Sequence, residues 1–584
     1  MTNTRWADEW QELKEYLGGE FRPELCHQTT DLVAREFTRS PSEGEFYHTS
    51  LAYLYDLTAF SMSGTKEPYR SLIRFLVPPG ARLLDYGCGI GSDGLKFLAE
   101  GYPVSFADFQ NPSTAYLQWR LQQRGTTAEV YDVEHFPDDA HFDLAYSFDV
   151  LEHVADPFSF LEHLEAIADH VAVNFIVEEH NTNFPMHYSH DWEKLERWIT
   201  ERNTLLFHSH LYPNSKLLVY KVGSVSPRRP LLSVVIPTHN RQDLLEKVLL
   251  ALTRQTLAAP FQVIVADDGS TDRTSTFLAD YQALFDLRVI SLPQGGPARA
   301  RNAALSLAEA PLVVFLDDDI TPDPTFLEQH LTFHLRQPAE NVAALGHVDW
   351  HHDLEISPFM EYITGAGSQL FDWNRIRQLP ELDYAHFYTC NLSLKRDFLR
   401  RERFDESFPY PVYEDIELGY RLKTRHGLRL LYHPSARAEH LDIKSYAGFK
   451  GRQYRAGTAA VYFATKHPEL RIVLGIEQAL QARSTSQDDL LPQVDAAIAE
   501  VEKVNLSKLM GLRLGEHLLA NYFALVLGTL YQEGLFRSYQ KGILDALRSQ
   551  PPAPPRFHAQ PHPNNRKPFR ANARPQTHRV KSRR

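Results

Sequence analysis

Leu83-Leu84-Asp85-Tyr86-Gly87-Cys88-Gly89-Ile90-Gly91 is the stretch that decides the fold of the first half of the chain. An apolar strand ends in an acid, Asp85, and runs into a turn that carries three glycines. Glycine lets the backbone turn sharply and approach a ligand, and the first amides of the following helix face the same point. Strands predicted at residues 104–107, 128–131, 144–147 and 171–176 alternate with helices, as a parallel sheet requires. The pattern predicts a doubly wound α/β unit with a ligand site at the glycine turn.

Acids also end the next two predicted strands. Asp108 ends the second strand about 20 residues after the glycine turn, where an acid can bind ribose hydroxyls. Asp132 ends the third strand, and the fourth leads into the run Asp149-Val-Leu-Glu-His-Val154. Residues 204–210 and 216–222 flank a Tyr-Pro-Asn-Ser turn, which predicts a hairpin. We therefore expect the parallel sheet to end in antiparallel strands.

Together these features resemble a class I S-adenosylmethionine-dependent methyltransferase over residues 46–222. An NAD dehydrogenase fits less well, because its fold lacks the antiparallel terminal strand. The resemblance implies that the glycine turn contacts the methionine part of S-adenosylmethionine, that the second acid contacts the ribose and that the third lies on the adenine side. The implied cofactor-binding residues are Asp85, Gly87, Gly89, Gly91, Asp108 and Asp132.

No base for methyl transfer is evident from the sequence. His153, His187 and His190 are candidates, and for each a structural or surface role is the alternative. Positioning a nucleophile in line with the methyl group can lower much of the barrier without a base. The aromatic segment 46–60 is either part of the core or a lid over the cofactor.

A second α/β unit begins at Leu231 and carries acid clusters at its strand ends. The strand Val234-Val-Ile-Pro-Thr238 precedes Asp267-Asp268, and Leu312-Val-Val-Phe-Leu316 precedes Asp317-Asp318-Asp319. Ligands of open parallel sheets bind at this edge. Neighbouring carboxylates 4 Å apart repel by ~1 kcal/mol even in water. A divalent cation that bridges a diphosphate would relieve the repulsion, and a solvated turn is the alternative.

The ordered set resembles an inverting family 2 glycosyltransferase with a GT-A fold over residues 231–445. The downstream half of the resemblance consists of the segments Thr389-Cys-Asn-Leu-Ser-Leu-Lys-Arg396, Tyr413-Glu-Asp-Ile-Glu-Leu-Gly-Tyr-Arg-Leu422 and Pro434-Ser-Ala-Arg-Ala-Glu-His440. It implies a nucleotide-sugar site with Asp268 on the base, Asp267 and Thr238 nearby, Arg301 near the diphosphate and Asp317 near the ribose. It also implies a Mn²⁺ or Mg²⁺ site formed by Asp319, Asp317 and His440. Asp415, beside Glu414, would be the catalytic base that deprotonates the acceptor hydroxyl.

Composition limits the partners and the cellular compartment that can be expected for this chain. Of the 584 residues, 551–584 hold nine Lys and Arg and no Asp or Glu, so the rest of the chain has 52 basic and 74 acidic residues. This excess of acidic residues outside the tail argues against nucleic acid as a partner. Three scattered cysteines predict no disulfide framework. Because the N-terminus has no apolar signal core and no segment reaches the ~20 apolar residues of a spanning helix, a cytoplasmic protein is expected. Peripheral contact with the inner face of the membrane stays open.

The fold class predicted is therefore α/β, with two doubly wound domains in tandem. The predicted bounds are a partly helical lead-in over 1–45, the methyltransferase domain over 46–222, a linker over 223–230, the glycosyltransferase domain over 231–468, a helical region over 469–550 and a disordered basic tail over 551–584.

Two chemistries on one chain favour a bifunctional enzyme of bacterial surface polysaccharide biosynthesis. One half would transfer a sugar to a glycan or lipid-linked glycan acceptor, and the other would methylate a sugar or related hydroxyl. The alternative is a glycosyltransferase with a non-catalytic methyltransferase-like scaffold. A nucleotidyltransferase fits less well, because Glu414-Asp415 and His440 favour sugar transfer. The donor sugar, the acceptors and the oligomeric state cannot be read from the sequence.

Overall fold

The computed structural model describes residues 9–27, 29–176, 187–212, 215–223, 230–257, 259–484, 490–502 and 518–549. The chain forms two compact units. The first comprises Met1–Leu231 with Leu257–Pro260 and Leu331–Pro338, and the second comprises Leu232–Thr256, Phe261–His330 and Ala339–Arg584. The basic tail and most of the predicted linker, residues 224–229, lie outside the described residues.

The first unit is built on a seven-stranded sheet. Its strands are β1 (Leu83–Tyr86), β2 (Val104–Asp108), β3 (Val130–Asp132), β4 (Leu144–Ser147), β5 (His170–Ile176), β6 (Thr204–Tyr212) and β7 (Ser215–Lys221). They lie in the order β3-β2-β1-β4-β5-β7-β6. β7 pairs antiparallel with both β5 and β6, which confirms the predicted hairpin at the end of a parallel sheet. β1 is central, so its acid and the glycine turn lie where the strand order reverses.

Nine helices of the first unit are described: α1 (Glu9–Leu17), α2 (Thr29–Arg39), α3 (Glu43–Thr49), α4 (Ala52–Met62), α5 (Glu67–Leu76), α6 (Ser92–Ala99), α7 (Pro112–Gln123), α8 (Pro157–Ile167) and α9 (Trp192–Arg202). Most residues of β1, β4 and β5 are apolar and almost fully buried, as expected for strands covered on both faces. Each such Leu or Val side chain stabilises the fold by roughly 1.5–3 kcal/mol.

The N-terminal segment is more closely joined to this unit than a lead-in would be. The fully buried Arg120 of α7 lies 3.0 Å from the Glu9 carboxylate and 2.8 Å from that of Glu12, both on α1. Its guanidinium also donates to the carbonyl of Ile90 and the hydroxyl of Ser92 beside the glycine turn. The sequence pattern missed this because the pairing spans more than 100 residues.

The second unit is built on an eight-stranded mixed sheet. Its strands are β8 (Leu232–Thr238), β9 (Phe261–Asp268), β10 (Asp286–Leu292), β11 (Leu312–Leu316), β12 (Ile320–Pro322), β13 (Val342–Trp350), β14 (Asn391–Lys395) and β15 (Arg429–His440). They lie in the order β10-β9-β8-β11-β14-β13-β15-β12. The first four are parallel, and β14 pairs antiparallel with β11. The short β12 pairs with the end of β15, opposing Ile320 to His440. This pairing brings His440 next to the acid triplet.

The helices described in this unit are α10 (Gln242–Leu252), α11 (Thr274–Asp280), α12 (Pro297–Leu307), α13 (Phe326–Arg336), α14 (Pro358–Thr364), α15 (Trp373–Ile376), α16 (Arg396–Leu399), α17 (Glu414–His426), α18 (Tyr446–Lys466), α19 (Ile476–Ser484), α20 (Leu491–Glu502) and α21 (Leu518–Ser549). The C-terminal region is helical, as predicted. α18 and α21 approach closely at Gly457 and Gly542, where an added Cβ would lie 2.0 Å from a carbonyl oxygen of the other helix. Among the described helices, none has the length and apolarity needed to cross a membrane.

Candidate active sites

The glycine turn of the first unit is tightly packed. Gly87, Gly89 and Gly91 have φ values of 76°, 52° and 71°, a region that favours glycine. A Cβ on Gly87 would lie 2.6 Å from Val150, and one on Gly89 would lie 2.6 Å from Leu57 of α4. The turn therefore needs glycine for both conformation and space.

Backbone amides bind the acids beside this turn. Asp108 accepts hydrogen bonds from the N–H of Gly89 at 2.6 Å and of Phe109 at 2.8 Å. Asp85 accepts from the N–H of Gly94 at 3.1 Å. Burial raises the pKa of Asp108. Burial and the neighbouring Asp93 raise the pKa of Asp85 to about 7, although Lys66 opposes the shift.

Asp132 differs from the other two acids because its side chain is more exposed. It accepts hydrogen bonds from the N–H of Glu134 at 3.1 Å and from the His135 ring at 3.0 Å. The hydrogen bond from His135 is the main reason that the pKa of Asp132 is lowered. The six predicted cofactor residues thus lie on the glycine turn and the ends of three adjacent strands, and their roles remain predictions.

The aromatic segment 46–60 contributes both to the core and to the rim of this site. Phe46 and Tyr55 are buried. The Tyr47 hydroxyl lies 3.1 Å from Nδ1 of His153, and its carbonyl accepts a hydrogen bond from Asn111.

The three candidate histidines separate into two groups. His153 and His187 lie together, with ring centroids 4.7 Å apart, whereas His190 packs edge-on against Trp192.

In the second unit, the acids that end β9 hold neighbouring loops. Both oxygens of Asp268 accept backbone hydrogen bonds, from Gly295 at 2.8 Å and from Gly296 at 2.7 Å. Asp267 accepts from the N–H of Ser270 at 3.0 Å and from the Ser275 hydroxyl. Both acids therefore have a structural role in holding these loops, which the motif did not reveal. Their contacts with the nucleotide remain predictions.

The acid triplet is not a solvated turn. Asp318 and Asp319 are each 6% exposed, and Asp317 is more open. The Thr238 hydroxyl donates to Asp318 at 2.7 Å. Arg241 donates to Asp318 at 3.1 Å and to Asp319 at 2.8 Å.

The guanidinium of Arg241 therefore supplies part of the positive charge that balances the triplet. The sequence analysis did not identify Arg241 as a site residue. Arg241 lies three residues after Thr238, the last residue of β8. This closeness to a predicted site residue is the signal that could have identified Arg241.

Asp319 and His440 fit a divalent cation. Nε2 of His440 lies 4.0 Å from Oδ2 of Asp319, a separation that suits an ion about 2.1 Å from each atom. Burial lowers the pKa of His440. Its Nδ1 accepts a hydrogen bond from the N–H of Asp442 at 3.1 Å, so an ion on Nε2 would require the other tautomer of the neutral ring. Asp317 is not part of a compact three-ligand cluster with these two residues in the described chain. Its Oδ1 accepts from Arg301 at 2.8 Å, just as Oδ2 of Asp319 accepts from Arg241 at 2.8 Å. Its role as a metal ligand stays a prediction.

Arg301 connects the acid triplet to α17. Its guanidinium donates to Asp317 at 2.8 Å and to Glu414 at 2.9 Å, and it is 5% exposed. Glu414 is buried, and burial with the adjacent Asp415 raises its pKa. Asp415 is less buried, and its Oδ1 accepts from the N–H of Ile416 at 2.8 Å. Burial also raises the pKa of Asp415. Of the two acids, Asp415 is the one open to a substrate.

The backbone before this pair is strained. Tyr413, at the N-cap of α17, has a φ of 73°, a region that non-glycine residues rarely adopt. Such strain is common at functional sites. Beside it, a cleft of about 150 Å³ is lined by Gly295, Gly296, Tyr410 and Glu414 among others. The cleft extends from the first turn of α12 to Glu414.

Comparison with known proteins finds one family match in each half of the chain. Residues 63–218 match the family model "Methyltransferase domain", and residues 233–401 match the family model "Glycosyl transferase family 2". The chain therefore carries a methyltransferase domain and a family 2 glycosyltransferase domain in tandem.

Its relatives are similar to parts of it. Validoxylamine A glucosyltransferase of Streptomyces hygroscopicus subsp. jinggangensis is 37% identical over 225 residues, 34% of this chain and 52% of that protein. Chondroitin synthase of Escherichia coli is 30% identical over 230 residues, 34% of this chain and 33% of that one. The chain thus spans about half the length of the first relative and a third of the second. A mannosyltransferase from Pyrobaculum calidifontis, solved with GDP-Man and Mn²⁺, aligns with a TM-score of 0.34 at 18% identity, over 55% of this chain and 88% of that one.

Proposed function

We propose that the protein is a bifunctional transferase. Its second unit would transfer a sugar from a nucleotide-sugar donor to a glycan or lipid-linked glycan, with inversion, and its first unit would transfer a methyl group from S-adenosylmethionine to a sugar or related hydroxyl. The similarity to a bacterial glucosyltransferase supports sugar transfer, and the similarity to a bacterial chondroitin synthase supports a role in surface polysaccharide biosynthesis. The same proposal places the protein in the cytoplasm or at the inner face of the membrane. It assigns the two activities to residues 46–222 and 231–468.

The observation that carries the glycosyltransferase assignment is the Arg301 bridge. It joins Asp317, on the side predicted to bind the nucleotide, to Glu414, the neighbour of the predicted base. Because Glu414 is committed to this bridge, Asp415 is left to act on the acceptor. The bridge thus supports one site that contains both the donor and the acceptor side.

In the proposed step, Asp415 takes the proton of the acceptor hydroxyl. The acceptor oxygen then bonds to the anomeric carbon as the bond from that carbon to the diphosphate oxygen breaks, and configuration inverts. Asp319 and His440 would hold a Mn²⁺ or Mg²⁺ ion, which when bound neutralises the departing diphosphate. Arg301 and Arg241 hold the acids in place between turnovers.

The glycine turn supports the cofactor of the first unit. Its residues have positive φ angles and their Cβ positions are filled by neighbouring side chains, so the turn keeps glycine and its bare backbone can border a ligand. Asp108 has two oxygens engaged by single amide bonds, and a carboxylate retains further acceptor sites for ribose hydroxyls.

A thermal-shift screen tests the proposal directly. Full-length protein is heated with UDP-, GDP- and dTDP-sugars, with and without Mn²⁺ or Mg²⁺, and separately with S-adenosylmethionine. A ligand at 100 times its Kd should stabilise its unit by about 2.7 kcal/mol. Stabilisation by one nucleotide-sugar class and by S-adenosylmethionine is expected. Stabilisation by the nucleotide sugar alone would favour the scaffold reading of the first unit, and stabilisation by neither would contradict the proposal.

A further inference from the structure

We propose that Glu152, His153 and His187 form a divalent transition-metal site in the first unit, and that its ion holds the hydroxyl that receives the methyl group. The second clause rests on the proposed methyltransferase function, whereas the metal site itself does not. One ligand atom from each of the three residues lies within 4.8 Å of the others.

The separation of these atoms suits one ion after a small adjustment. Two ligands about 2.0–2.2 Å from the same ion are at most about 4.4 Å apart. Two imidazole nitrogens with one carboxylate oxygen favour Zn²⁺, Mn²⁺ or Co²⁺ over Ca²⁺, which prefers oxygen ligands, and they leave coordination positions open for a substrate.

The buried carboxylate is the independent observation that points to a ligand. Glu152 is 2% exposed, and its Oε2 has no hydrogen-bond partner among the described residues. A buried carboxylate oxygen without a partner is unfavourable, because it has lost its contacts with water. A cation bound by this oxygen would remove that cost.

The two segments that supply the ligands are anchored to each other. Glu152 and His153 lie on a short 3₁₀ turn, Leu151–His153, whose first residue is fully buried. The carbonyl of Glu152 accepts a hydrogen bond from the N–H of Tyr188 at 2.7 Å, which holds the segment that carries His187. The Tyr188 hydroxyl in turn donates to Glu43 at 2.7 Å. A backbone hydrogen bond therefore holds together the two segments that carry the three residues.

Tyr47 provides the outer contact that metal-binding histidines usually have. Its hydroxyl oxygen lies 3.1 Å from Nδ1 of His153. A Tyr47 oxygen that accepts from Nδ1–H fixes the tautomer and leaves Nε2 as the metal ligand.

The cluster also lies beside the predicted cofactor site. Val150, two residues before Glu152, packs against Gly87 of the glycine turn. The Tyr47 ring lies 6.5 Å from the ring of Phe109, the neighbour of Asp108. The cluster therefore lies close to residues that are predicted to bind the methyl donor.

No base for methyl transfer is evident from the sequence. In our proposal, an ion bound at this position activates the acceptor hydroxyl instead. A hydroxyl bound to the ion has a lowered pKa and loses its proton to water. Its oxygen then bonds to the methyl carbon as the carbon–sulfur bond breaks, and the sulfonium becomes the neutral thioether of S-adenosylhomocysteine.

Zn²⁺ binding to the full-length protein tests the site without any need for activity. Chelator-treated protein is dialysed against Zn²⁺, and bound metal is measured by elemental analysis. All variants carry Asp319→Asn, so that the second unit's predicted site does not contribute. We expect Glu152→Gln and His187→Ala each to weaken binding at least about tenfold, and Tyr47→Phe to weaken it by about tenfold. His141→Ala, at an exposed histidine of the same unit that pairs with Asp169, is the matched control and should leave this binding unchanged.

Two readouts separate the possible failures. Each variant is first checked for S-adenosylmethionine binding, and if Glu152→Gln does not fold, His187→Ala decides. Unchanged Zn²⁺ affinity in folded variants would overturn the site, even if methyl transfer is observed. Zn²⁺ binding that depends on Glu152 and His187, in a protein that transfers no methyl group, would support the site and contradict only the proposed function.

Discussion

The two units place acids at equivalent sheet edges but balance their charge differently. In the second unit, Arg241 and Arg301 contact the acid triplet and Glu414 directly. In the first, Asp108 and Asp85 are bound by backbone amides. Each arginine opposes the rise in carboxylate pKa that burial causes, and a guanidinium can also pair with a phosphate, whereas backbone amides hold an acid in one position. The difference suits a diphosphate donor in the second unit and a hydroxyl-bearing cofactor in the first.

The largest expected effect comes from removing the proposed base. Asp415→Asn keeps the shape of the side chain but cannot accept the acceptor proton, so the rate of sugar transfer should fall by about 10²–10⁴. The measurement is kcat with a labelled donor. Asp397→Asn, an exposed acid of the same unit, is the control and should retain full rate. A loss below about threefold in Asp415→Asn would rule out its role as base.

The next effect is on stability and concerns the first unit's own buried arginine. Arg120→Met leaves Glu9 and Glu12 buried without their partner and should destabilise the unit by about 3–5 kcal/mol. Hydrogen exchange of β1 to β5 measures the change, with the exposed Arg202→Met as control.

The same arginine predicts a pH dependence for the stability of this unit. Burial opposes ionisation of Glu9, yet Arg120, Lys96 and two hydroxyls lower its pKa to about 2. The stabilisation is therefore complete above the ordinary Glu pKa and is lost as the pH falls towards 2. In Arg120→Met this acid limb should shrink. An unchanged limb would show that the pair does not determine it.

A smaller effect tests the glycine turn. Gly89→Val places a branched side chain at a φ of 52° and against Leu57, and should weaken S-adenosylmethionine binding by roughly 100-fold, about 2.7 kcal/mol. Calorimetric titration gives the Kd. Gly44→Ala, where an added Cβ meets nothing within 4 Å, should leave it unchanged. Equal affinity in Gly89→Val would place the cofactor elsewhere.

The smallest effect is a displaced pH profile. Burial raises the pKa of Asp415, and the base must be ionised to act. The acid limb of kcat/KM for sugar transfer should therefore lie above the ordinary Asp pKa of about 3.9. A rate that stays constant down to about pH 4 would show that Asp415 is not the titrating group.

The sequence predicted the features that depend on local pattern. Apolar runs predicted the parallel strands of the first sheet and the strands β8 and β11 of the second, and acids at the strand ends came together because parallel strands end at one edge. The hairpin at β6 and β7 followed from a short turn. The sequence did not predict Arg120 with Glu9, or Arg241 with Asp318, because these ion pairs join segments 77 or more residues apart. It also could not show that Asp268 binds Gly295 and Gly296, since loop geometry decides that contact.

The central claim is that one chain holds two separate transferase sites, and a two-label assay tests it most directly. Wild-type protein, Asp415→Asn and Gly89→Val are each supplied with a labelled nucleotide sugar and with labelled S-adenosylmethionine. The structure predicts that Asp415→Asn loses sugar incorporation but binds S-adenosylmethionine normally, and that Gly89→Val loses methyl incorporation but keeps sugar transfer. Loss of both incorporations and of cofactor binding in either folded variant, or methyl incorporation unaffected by Gly89→Val, would contradict the account.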